Sequence, residues 1–519
     1  MRTPLILTLA ALASAPLPAQ APPRLGTISF PVTGSAAAQP AFIRGVLYLH
    51  SFEYPSAASA FREAQRIDPS MMMAYWGEAM TYTHPVWNQQ DKDSALLAFA
   101  KLGPTPEARL ARAGTPRERG YLEAVEALYG DGSKPRRDTL YSRRMMRLME
   151  QFPEDDEART FAALSLLGLN QGVRDVAAYM RAAALCEPVF ERNPDHPGAA
   201  HYIIHAFDDP VHAPLGLPAA RAYSRIAPDA AHAQHMTTHI FLAAGMWNEV
   251  VSQNVIAMDL TLPVPGHYTD WLGYGLLQQG KYAEALRHLE HMREGLGAAA
   301  NTTRVPARRM AMVMMRGDFV VNTARWSADV WSWPLELGDR PGAAAYDQFV
   351  RGFAAARRGD RRGAGAARLE MVRLMDSIPA ADSLVKRSLG VMDLELRGLL
   401  RQMEGGNDDA LALLREAASQ EDVLPVDFGP PYIVKPTHEL LGEVLLDLNR
   451  PQDAQREFTR SLELAPGRAR SLIGLVRAAA ASGDRAVAES AYRVLVTNWA
   501  GADPDLPELR ELRPLVASR

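Results

Sequence analysis

Two pairs of histidines carry the strongest chemical signal in this chain. His201 and His205 stand four residues apart in HPGAAHYIIHAFDD, and His235 and His239 share that spacing in HAQHMTTHIF. On an α-helix a four-residue step sets two side chains one above the other on one face. The pairs are 34 residues apart, member for member. Imidazoles so arranged suit a transition metal ion, zinc, copper or iron, and the four are expected to converge on one ion or a closely spaced pair. His50 and His84, also 34 residues apart, are the candidates for a further ligand. Asp208 and Asp209 follow His205 within one helical turn, where a carboxylate could ligate an ion or accept the second N–H of an imidazole. Tyr82 and Tyr202 are candidate proton donors, and His267 and Asp270 open the next helical segment. Ligands must be neutral to bind, so affinity is expected to fall below the ordinary imidazole pKa of about 6.5.

A 34-residue period is also what positions them. Ala57, Phe61, Ala64 and Pro69 in AFIRGVLYLHSFEYPSAASAFREAQRIDPS match the second-helix pattern of the tetratricopeptide motif. Gly280–Met292 repeats the pattern with Leu289 in place of the phenylalanine, and Asn449–Pro466 repeats it with Ala454, Phe458 and Pro466. Small alanines let two helices approach, the aromatic ring fills the groove between them, and the proline stops the helix. The expected fold is therefore all-α, a tetratricopeptide-like helical repeat solenoid with insertions. Pro194 and Pro228 are further terminators, with Asp195 and Asp229 expected to cap the helices that follow.

The period is interrupted in three places. Residues 85–120 form an insertion expected to cover or narrow the groove, with Thr105-Pro106 and Thr115-Pro116 placed to start short helices. Residues 301–420 read as an irregular helical middle region whose methionines and tryptophans are expected mainly to fill core. Val426–Pro436 holds three prolines that impose an extended approach to a helix at Thr437. The boundaries that follow are a signal peptide over 1–21, a linker over 22–37, an N-terminal array over 38–300 and C-terminal repeats over 421–519. Arg2, the apolar run Leu5–Ala13 and the small residues near Ala15, Ala19 and Ala21 make up the leader. Export to a bacterial periplasm or beyond is the expectation.

Composition excludes several classes. The 519 residues are 47% hydrophobic with a formal charge of −4, which gives no field favouring nucleic acid or an anionic membrane. A single cysteine, Cys186, rules out intramolecular disulfides and a thiolate metal cage. No phosphate-binding loop, dinucleotide fingerprint or serine elbow is present, and His438-Glu439 lacks the second histidine of a zincin helix.

The stretches HPGAAHYIIHAFDDP, APDAAHAQHMTTHIFLAAGMW and GPPYIVKPTHELLGE resemble a group of bacterial exported tetratricopeptide proteins. Thr237 and Thr238 stand where that group usually has proline and serine. The resemblance spans most of the chain and implies a helical scaffold with co-occurring histidines. It also implies that His201, His205, His235 and His239, with Glu439 and Glu443, face a concave groove able to take a protein, a peptide or a small molecule. The leading expectation is a metal-binding scaffold. The alternatives are a metal-dependent oxidoreductase or hydrolase using the same site, and a metal-free peptide-binding adaptor.

Overall fold

The computed structural model describes residues 21–169, 174–261, 266–298, 305–338, 340–426 and 428–517. The leader expected over 1–21 lies, except for its last residue, outside these. Helices hold 72% of the described residues, and strand pairing among them is confined to Thr83–His84 against Gln89–Gln90. Consecutive helices pack as pairs: Gln39–His50 with Tyr54–Ile67, Pro197–Ala206 with Ala213–Ile226, Ala231–Ala243 with Trp247–Asp259, His267–Gln278 with Tyr282–Ala298. This is a tetratricopeptide-like helical solenoid. No described helix is long and apolar enough to cross a membrane.

The repeat pattern has a direct steric cause. Phe61 is fully buried between Gly45 of the preceding helix and Gly77 of the following one, and a Cβ at either glycine would overlap its ring. Phe458 makes the same insertion between Gly442 and Gly474. One large ring per repeat thus sits where two backbones present no side chain, which brings the helices close and fixes their register.

Thr105 and Thr115 cap their helices as the sequence suggests, each standing just before the first-turn proline and accepting the backbone N–H three residues on, of Ala108 and Glu118. Asp195 and Asp229 do not cap. His196 caps the helix Pro197–Ala206, its Nδ1 accepting from the Ala199 N–H at 3.1 Å, because it stands one residue nearer the first turn. Asp229 is instead engaged by Arg24 of the N-terminal segment. That segment does not behave as a free linker: Leu25 and Phe30 are buried in the core and the Thr27 N–H donates to the Asp195 carbonyl. The middle region is also more regular than its sequence suggests, with Pro341–Arg357 packed on Arg361–Asp376 and Ser383–Met403 on Asn407–Glu421.

The apolar core forms two contiguous clusters, one from Leu25 to Tyr274 and one from Leu272 to Leu512, which meet on the helix His267–Gln278. The C-terminal repeats return to this seam. Trp247 Nε1 donates to the Gly467 carbonyl and Trp499 Nε1 to the Gln278 carbonyl, both at 2.9 Å. Arg468, fully buried, binds Glu439 at 2.8 Å and the Tyr274 hydroxyl at 3.0 Å, while Lys435 pairs with Glu439 and Glu443. Glu439 and Glu443 are therefore committed to a buried ionic latch.

Candidate metal centre

The first helices of three successive helix pairs build the histidine cluster, and it divides into two triads. His201 and His205, on Pro197–Ala206, are joined by His232 from the first turn of Ala231–Ala243. His235 and His239, further along that second helix, are joined by His267 from the first turn of His267–Gln278. Within each triad the candidate ligand nitrogens all lie within 4.8 Å of one another. The rule is the same twice: an i,i+4 pair from one helix and the leading histidine of the next. The triads adjoin, with ring centroids 6.1 Å apart for His205 and His239 and 6.2 Å for His232 and His235.

The outer nitrogens fix the tautomers. His201 Nδ1 lies 2.6 Å from the His50 backbone carbonyl, so it carries the proton and Nε2 presents a lone pair. His239 Nδ1 lies 2.6 Å from the Asp208 carboxylate. His235 Nδ1 lies 2.8 Å from Asn254 Oδ1, and the Asn254 amide is oriented because its Nδ2 donates to the Val250 carbonyl. The His235 and His239 rings then turn Nε2 lone pairs toward each other at 3.3 Å. In the first triad, Nε2 of His201, His205 and His232 are all buried without a hydrogen-bond partner among the described residues. A buried polar atom left unpaired costs about 1–3 kcal/mol, so three in one cluster make it a candidate ligand site. Carbonyl, carboxylate and amide acceptors behind ligand imidazoles are the usual means of orienting them toward a metal.

Burial disfavours the protonated form of His201, His205, His232, His235 and His267. It lowers the His201 pKa to about 3 and pushes His205, His232 and His235 well below the ordinary value, with repulsion between neighbouring imidazoles adding to the effect. His267 is the exposed member, yet protein packed around its inner side brings it to about 4. Proton competition with a metal therefore sets in at more acid pH than the unperturbed 6.5 expected from sequence.

The remaining candidate residues fall elsewhere. His50 belongs to a closed network: Nε2 to Glu157 at 2.6 Å, Nδ1 to the Tyr202 hydroxyl at 2.9 Å, with His196 on the other Glu157 oxygen at 3.1 Å. It touches the triads only through its backbone carbonyl. His84 stacks on Tyr54 at 3.9 Å and approaches the Thr81 carbonyl, away from both triads. Asp208 stands behind His239, whereas Asp209 binds Arg174 and His212. Tyr82 binds Arg62.

Aromatic rings wall the centre. Phe52 lies 4.3 Å from His201 and 5.6 Å from His232, held with φ at +54°, a left-handed conformation unfavourable for a bulky residue. Strain of this kind concentrates at functional sites. Trp87, from the start of the insertion, closes over Phe52 and His232. Trp271 packs 4.3 Å from His239, and Tyr268 4.7 Å from His235. The proline-rich segment places Phe428 near His239 and the backbone of Gly429 on the Trp271 indole, where a Cβ would collide. Beyond Asp208 a cavity of about 540 Å³ runs between Leu242, Trp247, Tyr274, Val385 and Tyr432.

His232 and His267 were the residues that pair-spacing left out. Their signal was present: His232 precedes His235 by three residues on the same helical face, and His267 opens the next helix as His232 opens its own.

No protein-family model matches the chain, and no curated protein matches it. Among solved structures it is similar to yeast Tom70 at 13% identity and a TM-score of 0.34, covering 90% of this chain and 99% of that one. Human IFIT1 with m7Gppp-AAAA gives 13% and 0.37, covering 87% and 95%. The Cut9-Hcn1 hetero-tetramer of APC/C gives 12% and 0.31, covering 93% and 97%. Likeness at these values says nothing of ligand or partner.

Proposed function

We propose that this chain is an exported tetratricopeptide-type scaffold that binds transition metal ions in its two histidine triads. The carrying observation is the set of three buried Nε2 atoms of His201, His205 and His232, which have no partner among the described residues. The rival is a proton in place of an ion, with an Asp208-paired His239 imidazolium donating to His235. That arrangement would account for the second triad and leave the first unexplained. Three imidazoles leave a fourth position of a tetrahedral ion open to water or a small molecule, which gives Lewis-acid or oxidative chemistry a place to occur. The cavity beyond Asp208 offers room for a small-molecule partner. The leader over residues 1–21 supports export.

Elemental analysis of protein purified from the periplasm without a histidine tag tests the reading. Stoichiometric transition metal is expected. His205→Ala combined with His239→Ala is expected to abolish it while circular dichroism stays helical. Metal-free protein that also fails to take up zinc or copper on dialysis overturns the proposal.

A further inference from the structure

We infer that the two triads hold a pair of copper ions that binds dioxygen between them, an assignment that rests on the metal-binding reading above. The donor set points to copper. Both triads consist of imidazoles alone, with no carboxylate or thiolate in either. Paired iron and manganese sites draw on carboxylates, and the two beside the triads are engaged elsewhere: Asp208 with the outer nitrogen of His239, Glu53 with the His232 backbone N–H. Two zinc dications would face each other with no anionic ligand to offset them. Two copper(I) ions carry half the charge each and repel about a quarter as strongly. Copper also stands highest among divalent ions for nitrogen ligands, so the oxidised pair is retained.

The shared helix sets the spacing. His232, His235 and His239 follow one another on the helix Ala231–Ala243, the first serving one ion and the other two serving the next. Ligands one turn apart that feed adjacent ions put those ions about 5 Å apart, close enough for one small molecule to bridge. The surroundings suit an uncharged diatomic molecule. Phe52, Trp87, Tyr268 and Trp271 line the centre with rings, and of the six histidines His267 alone is exposed.

The binding step balances within the site. Each copper(I) gives one electron, dioxygen accepts two and becomes a peroxide-level bridge between two copper(II) ions, and no proton moves. Release of dioxygen returns both electrons to the metals.

The test loads the full chain anaerobically with copper(I), counts bound copper and admits dioxygen. Two copper ions per chain, one dioxygen consumed per pair and no paramagnetic resonance signal from the oxidised, coupled pair are expected. His232→Asn and His267→Asn, each checked for native helix content, are expected to bind one copper and to lose the paired uptake. Two copper ions that oxidise to give the full signal of isolated copper(II) overturn the pairing and leave metal binding standing. A chain that takes two zinc ions and refuses copper overturns the copper assignment alone. A chain that binds neither overturns this inference together with the reading beneath it.

Discussion

Two buried histidine groups lie side by side in this protein and are finished in opposite ways. Around Glu157, His50 and His196 each spend a ring nitrogen on a carboxylate oxygen, and their second nitrogens meet the Tyr202 hydroxyl and the Ala199 N–H. One residue layer away, His201 uses only its Nδ1, on the carbonyl of that same His50, and its Nε2 has no partner among the described residues; nor have those of His205 and His232. Residue type and burial are the same in both groups. What differs is closure: one polar group closes on itself, and the other leaves three buried ring nitrogens without a partner among the described residues.

The sharpest way to break this contrast is to remove the centre of the closed group. Glu157→Ala leaves two buried imidazoles facing no carboxylate and is expected to cost about 1–3 kcal/mol of stability for each ring nitrogen left unpaired. The metal content of whatever folds is expected to be unchanged. Chemical denaturation paired with metal analysis checks both halves. His205→Ala is expected to do the reverse, losing an ion while the metal-free protein unfolds at or above the wild-type midpoint.

A smaller effect is expected behind the ligands. Asp208→Ala removes the acceptor that orients His239 and is expected to weaken metal binding about 10–100-fold without removing a ligand. Competition against a chelator of known affinity measures it. Unchanged affinity would mean that Asp208 serves only the neighbouring cavity.

The acid response sharpens the comparison further. The His50 and His196 rings hold the Glu157 carboxyl down to about 2, below the 4.5 of an ordinary glutamate. Its contribution to stability is therefore complete above about pH 4.5 and is lost as pH falls through about 2. His50 works in the same direction: burial lowers its pKa, so unfolding takes up a proton below about 6.5. Metal-free protein is expected to lose denaturation midpoint steadily from pH 6.5 downward, and Glu157→Gln is expected to show a shallower slope below pH 4.5. Equal slopes would contradict the closed network.

Much of this was legible in the sequence, because the repeat is a steric device and steric devices leave period. The Phe61 and Phe458 rings with their flanking glycines, the Thr105 and Thr115 caps and the two i,i+4 histidine pairs all read directly as spacing. The division into triads did not. A 34-residue period aligns His201 with His235, but His201 meets the first turn of the next pair's leading helix, where His232 stands 5.2 Å away ring to ring. Repeat register records equivalent positions, whereas a binding site is made from neighbouring ones. His50 was placed by the same periodicity, yet its ring is turned to Glu157, a partner 107 residues away that no local spacing announces. The N-terminal segment reads as a linker because Leu25 and Phe30 are too few to show a period, although both are buried.

The central claim is that two equivalent triads, and not one four-histidine site, make the centre. Counting metal ions on the wild-type chain and on two variants tests it most directly. His201→Ala/His205→Ala strips the first triad to His232, and His235→Ala/His239→Ala strips the second to His267. Two ions on the wild type and one on each variant are expected. A single ion on the wild type, lost from both variants, would contradict the account and return the four paired histidines to one shared site.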